Sequence, residues 1–225
     1  MLVEKFDYKP ISRKQVEGKR LYSTPDGHAV PSVTTILDRT KPREKREALA
    51  NWKKRVGEKQ AQQISTEAAN VGTVMHKFME DYSRDGVLRD PGSNMIQQQG
   101  HKMAKVIVDQ AMSHMTETWG VEVPLYYPEL YAGTTDCVGM WKGKPAIIDF
   151  KQTNKPKKDA WVDDYKIQLT AYANAHNAMF ETDISTGVIL MCSRDFQFQI
   201  WELQGAEFEY WSHAWWDRVY EFYAS

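Results

Sequence analysis

Gly133-Thr134-Thr135-Asp136-Cys137, a turn at Lys142-Gly143-Lys144, and Ile147-Ile148-Asp149-Phe150-Lys151 together read as a β-hairpin. Successive strand side chains alternate faces, so Asp149 and Lys151 point one way while Ile148 and Phe150 point into the core. The apolar run Ala146-Ile147-Ile148 leads straight into Asp-Phe-Lys, so the charges begin where the strand leaves the core. Two carboxylates and an ammonium are thereby expected on neighbouring strands. The same triplet also reads as a surface ion pair beside an isolated aspartate, a common arrangement.

That set suits attack of water on a phosphodiester. Acidic oxygens hold a hard cation such as Mg²⁺, which keeps several of its waters. One such water can serve as the nucleophile, and a nearby lysine can orient it or offset charge on the phosphate. Asp136 and Asp149 are the expected metal ligands, the backbone carbonyl of Phe150 a third, and Lys151 the group that acts on the nucleophile. Two further features accompany the hairpin. A helix over 161–179 carries Gln168 and Tyr172 four residues apart on one face. Upstream, a helix from near Ser65 contains Gly72-Thr73-Val74-Met75-His76, where a lone histidine reads as a structural residue sooner than as a ligand.

The order His, Asp, Asp-x-Lys, Gln-x-x-x-Tyr resembles the RecB-type branch of the PD-(D/E)xK nuclease superfamily. Tyr22-Ser23-Thr24-Pro25-Asp26-Gly27, Pro31-Ser32-Val33-Thr34-Thr35-Ile36-Leu37, and Ile148 through Lys157 are similar to phage exonucleases related to the mitochondrial genome maintenance exonuclease. The resemblance runs from about Tyr22 to the C-terminal helix. It implies that His76 lies near the metal, that Asp136, Asp149 and Lys151 form the catalytic set, and that Gln168 and Tyr172 belong to the site. Glu122, on a strand Val121 to Pro124, matches a position that is often acidic, and is given less weight. Gln152 stands where many relatives have Thr. The implied activity is a Mg²⁺-dependent exonuclease on single-stranded DNA, with Mn²⁺ as a substitute. The rivals are a nuclease for duplex ends or branched DNA, a non-catalytic DNA-binding subunit of the same fold, and a hydrolase of small phosphoesters.

The 225 residues, 42% of them hydrophobic, suffice for one domain with a sizeable core. We read 1–120 as an N-terminal hairpin and helices, and 121–225 as a catalytic sheet and helices. No apolar run approaches a membrane span and Met1 to Lys14 lacks a signal-peptide core, so the cytoplasm is expected, the host's if a phage encodes the chain. Cys137 and Cys192 are too few for the four ligands of an iron–sulfur cluster. No Gly-x-x-x-x-Gly-Lys-[Ser/Thr] sequence occurs, so no nucleotide-driven motor is expected.

The net charge of −1 conceals an asymmetry, with +7 over residues 1–60 and −8 over 61–225. A basic face would concentrate a polyanion while the acidic remainder carries the metal ligands. The densest cluster is Lys41, Arg43, Lys45 and Arg46, then Trp52, Lys53, Lys54 and Arg55. Cations interleaved with an aromatic suit a stacked single strand, and suit equally a solvated helix face with Trp52 beneath it. Lys155, Lys157 and Lys158 follow the catalytic strand and are the stronger phosphate-binding candidates. Elsewhere a long helix is expected over Asn94–Thr118, strands over Ser185–Cys192 and Phe196–Leu203, and a helix over Ala206–Tyr223 with a core stripe at Phe208, Trp211, Trp215, Val219 and Phe222. The expected fold is α/β, a mixed central sheet flanked by helices.

Overall fold

The computed structural model describes residues 2–16 and 19–225. Its centre is a five-stranded sheet of β4 (Met115–Tyr127), β5 (Tyr131–Trp141), β6 (Lys144–Thr153), β7 (Gly187–Ser193) and β8 (Phe198–Leu203), hydrogen-bonded in that order. Only β6 and β7 are parallel. Their connection is the helix α5 (Asp163–Phe180), the crossover that parallel neighbours require. The turn between β5 and β6 has positive φ at both Lys142 (48°) and Gly143 (78°), which matches the twist of a tight hairpin. A smaller antiparallel sheet of β1 (Ser12–Val16), β2 (Lys19–Ser23) and β3 (Ala29–Pro31) precedes four helices: α1 (Val33–Arg39), α2 (Arg43–Val56), α3 (Glu58–Asp85) and α4 (Met95–Ala111).

Alternation along β6 and β7 divides the core into two layers. Ile147, Ile189 and Met191 pack with α5 and with α6 (Gly205–Ala224), through Leu169 and Trp215. Ile148, Phe150, Val188 and Leu190 pack with α3 and α4, through Met75, Met79 and Ile107. Both faces of β6 are therefore covered, and Asp149 shares the α5 side with Ile147 instead of facing solvent. The α6 stripe is core as expected, with Phe208, Trp215 and Val219 buried and Trp211 and Phe222 half-buried against them.

The helix expected from near Ser65 begins earlier, at Glu58, and another element departs further from expectation. The helix over Asn94–Thr118 stops at Ala111, and after a 3₁₀ turn, Met112–His114, the chain enters β4 at Met115. The Asn94 side chain caps its start by accepting from the N–H groups of Ile96 (2.9 Å) and Gln97 (3.1 Å). The other end has no such marker in the sequence. Met115 fits a helical period and a strand equally well, and pairing with β5 decides for the strand, which also extends the expected Val121–Pro124 segment in both directions.

Candidate active site

Three carboxylates line up across adjacent strands. Pairing between β5 and β6 runs from Trp141↔Lys144 to Cys137↔Ile148, and the next position in register would set Asp136 against Asp149. The ladder ends there. The Asp136 Oδ2 atom accepts the Phe150 N–H at 2.7 Å in place of a backbone carbonyl. On the other flank Val121 pairs with Cys137 and Val123 with Thr135, which sets Glu122 opposite Asp136. Glu122 has φ of 53°, a left-handed backbone within a strand, which costs a non-glycine residue on the order of 1–3 kcal/mol.

His76 reaches the row from α3, its Nδ1 3.5 Å from Asp136 Oδ2. One donor atom each from His76, Glu122 and Asp136 lies within 4.8 Å of the others, the spacing of ligands around one ion. Lys151 Nζ is 2.7 Å from both oxygens of Asp149. Only Oδ1 lies in hydrogen-bonding geometry; Oδ2 is buried with no hydrogen-bond partner among the described residues. The ion pair read from the sequence therefore exists but is not a surface pair, with side-chain exposures of 17% for Lys151 and 4% for Asp149. An imidazole and two carboxylates whose donor atoms converge in this way, with Asp149 next in register to Asp136, fit a divalent cation.

The charges hold one another. Burial alone would push Asp136 up, yet the His76 hydrogen bond and charge, with Lys151 and the Phe150 N–H, hold it below the ordinary carboxylate range. Burial would likewise lower His76, but the hydrogen bond and charge of Asp136 raise it. Asp149 goes up, because its burial outweighs the Lys151 charge and the neighbouring Asp136 adds repulsion. Glu122 rises through burial and the charges of Asp136 and Glu80. Crowding of carboxylates that cannot all shed their protons cheaply is what a bound cation relieves.

From the α5 side, Gln168 Nε2 donates to Tyr172 Oη at 3.1 Å. The buried Tyr172 ring lies against Gly133, where a Cβ would come within 2.7 Å of Cε1. Burial raises the Tyr172 hydroxyl, and the charges of Asp149 and Asp136 add to that, so the phenol stays protonated. Tyr165, which the sequence reading missed, places its ring 5.1 Å from Lys151 Nζ. His76, Glu122 and Lys151 line a cleft of about 680 Å³ together with Gly72, Lys77 and Glu80.

The basic residues are spread more widely. Helix α2 buries none of its residues; Lys53, Lys54 and Arg55 are exposed in its last turn and Trp52 is half-buried. Lys41 pairs with Asp38 at 2.8 Å, Arg43 with Glu47 at 2.6 Å, and Lys45 bridges to Asp163 and Asp164 at the start of α5 (3.2 and 3.3 Å). Lys155 and Lys158 are exposed on the loop after β6. Gln199 pins that loop, accepting from the Lys157 N–H at 2.7 Å and donating to its carbonyl at 2.8 Å.

No family model matches the chain. It is 29% identical over 182 residues to the mitochondrial genome maintenance exonuclease 1 of Mus musculus, covering 75% of this chain and 51% of that protein. To the protein of the same name from Xenopus tropicalis it is 27% identical over 176 residues, covering 74% and 49%. The chain thus spans about half the length of the curated relatives it matches. These relatives bear out the resemblance to PD-(D/E)xK exonucleases read from the sequence. Among solved structures, a protein of Eubacterium rectale overlays with a TM-score of 0.48 at 17% identity, covering 69% of this chain and 67% of its own. No helix of the described residues is long and apolar enough to cross a membrane.

Proposed function

We propose that the chain is a metal-dependent deoxyribonuclease that hydrolyses single-stranded DNA from an end. The observation that carries this reading is the convergence of His76, Glu122 and Asp136 within 4.8 Å, beside the buried Asp149–Lys151 pair. His76, Glu122 and Asp136 would hold the cation. Asp149 Oδ2 would add to the set, as would the Phe150 carbonyl, which leaves the strand on the same side as the N–H bound by Asp136. Carboxylates suit Mg²⁺ and Mn²⁺, and the imidazole makes Mn²⁺ a ready substitute. A cation in this set supplies a water of lowered pKa and stabilises charge on the phosphate.

Lys151 keeps its proton, because the Asp149 and Asp136 charges outweigh the effect of its burial. It can therefore neutralise charge that develops on the phosphate, and Asp149 keeps it from swinging away. Gln168 and Tyr172 remain neutral donors on the same side of the sheet, suited to orienting a phosphate oxygen. The name shared by the two relatives supports action on DNA from an end.

End-labelled linear single-stranded DNA tests the reading. Cleavage with Mg²⁺ or Mn²⁺ that is abolished by chelator, and a loss of at least 100-fold in kcat for Lys151→Ala with binding retained, are expected. Resistance of circular single-stranded DNA is expected as well; if circles are cut, the end requirement is wrong. Tight binding without cleavage at any metal concentration would favour the non-catalytic binding subunit.

A further inference from the structure

A second pocket, of about 550 Å³, lies at the start of α2 and draws in Lys41, Arg43, Arg46 and Arg218, with Glu221 as its one acid. Arg46 and Arg218 come from helices far apart in sequence and are aimed by the same feature, the carbonyls at the end of α1. Arg46 donates from Nε to the Lys41 carbonyl (2.7 Å) and from Nη2 to that of Arg39 (3.0 Å), while Arg218 Nη2 donates to that of Leu37 (3.3 Å). The Arg218 side chain is only 12% exposed, and its Nε is buried with no hydrogen-bond partner among the described residues. Asp164 at 3.9 Å and Glu221 offset its charge, while Arg46 repels it. Helix α2 begins here without a side-chain cap, which adds unsatisfied N–H groups at its positive end. Two guanidiniums from different helices, with Lys41 and Arg43, line one pocket against a single acid, an arrangement suited to an anion that is not part of the chain.

We propose that this pocket is a phosphate subsite that receives the backbone of a DNA strand at a nucleotide away from the scissile linkage. The proposal rests on the nuclease reading for the identity of the strand, and the fold supplies the route. Arg218 contacts Asp164, Asp164 precedes Tyr165, and the Tyr165 ring lies against Lys151, so the pocket and the acidic row occupy the same end of α5. Of the two sources of phosphate, a polynucleotide fits better than a free ion, because exposed cations of α2 continue from the pocket along one helix.

The test is fluorescence anisotropy in chelator, so that nothing is cut, with a long labelled single-stranded oligonucleotide and a labelled trinucleotide. Arg46→Gln, Arg218→Gln and Arg218→Lys are compared with the parent after their melting curves are matched. Each Gln variant should weaken the long strand several-fold and lower its salt-dependence slope by about 0.7, the share of one single-strand phosphate contact. Arg218→Lys should restore part of the affinity, and trinucleotide affinity should not move. Unchanged affinity and slope for the long strand would overturn the subsite, as would an equal loss for both oligonucleotides. Inorganic phosphate that raises the parent's melting temperature but not that of Arg218→Gln, with oligonucleotides unaffected, would assign a free-anion site and reject the strand. If the parent binds as described but never cleaves, the subsite stands and the hydrolytic reading falls.

Discussion

Glu122 is the residue where fold and chemistry pull hardest against each other. Its backbone is left-handed in the middle of β4, and that conformation sets its carboxylate beside Asp136 and His76. Glycine accepts the same φ without strain, so Glu122→Gly should stabilise the metal-free protein by about 1 kcal/mol while raising the Mn²⁺ concentration needed for activity at least tenfold. Thermal melts in chelator and a metal titration of DNA cleavage check the two halves. A variant that is both less stable and unchanged in metal requirement would show that the bend serves only the sheet. Asp136, Asp149 and Lys151 could be put forward from strand alternation and the hairpin, beside the equally open reading as a surface ion pair. Glu122 could not, because a positive φ leaves no mark on residue type and the sequence offers only one acid among several. Arg218 was invisible for a different reason: its partners Leu37 and Asp164 are far from it in the chain, and an arginine on an aromatic-rich helix reads as surface.

At the level of elements, the site depends on how closely α5 approaches the hairpin. Gly133 on β5 permits that approach, since a Cβ there would strike the Tyr172 ring at 2.7 Å. Gly133→Ala should cost about 1–3 kcal/mol by overpacking and displace the Gln168–Tyr172 pair. Its expected signature is a lower melting temperature together with a fall in kcat larger than the change in DNA affinity. Wild-type kcat would mean that the pair has no bearing on turnover. Periodicity identified α6 by its stripe, and the apolar runs marked β6 and β7. It failed at Ala111, where helix gives way to strand without glycine or proline, and where only pairing with β5 tells the chain that Met115 is extended.

Across the whole molecule, the N-terminal segment is fastened to the far end of α5 by a buried histidine. Thr182 donates to Asn177 Oδ1 (2.8 Å), so its oxygen accepts from His176 Nδ1–H (2.7 Å), which leaves Nε2 to accept from the Tyr8 hydroxyl (3.0 Å). Phe6 and Phe180 close around the ring, and burial holds its pKa down to about 4 from 6.5. Between those values the unfolded chain binds a proton that the folded one refuses. Stability should therefore rise with pH through that window and level off above it, by roughly 3 kcal/mol in all. Asp149, raised in the fold, acts in the opposite sense over part of the same range. The difference between parent and His176→Gln isolates the histidine: in denaturant melts from pH 4 to pH 7 the parent should gain stability relative to the variant as the pH rises. Parallel profiles would refute the neutral assignment.

The account as a whole stands on one ion in one place. Anomalous diffraction from a crystal of this chain soaked in Mn²⁺ tests it directly. A single strong peak is expected within coordination distance of His76, Glu122 and Asp136. An actively cleaving protein with its Mn²⁺ bound elsewhere, or with no Mn²⁺ near these side chains, would contradict it.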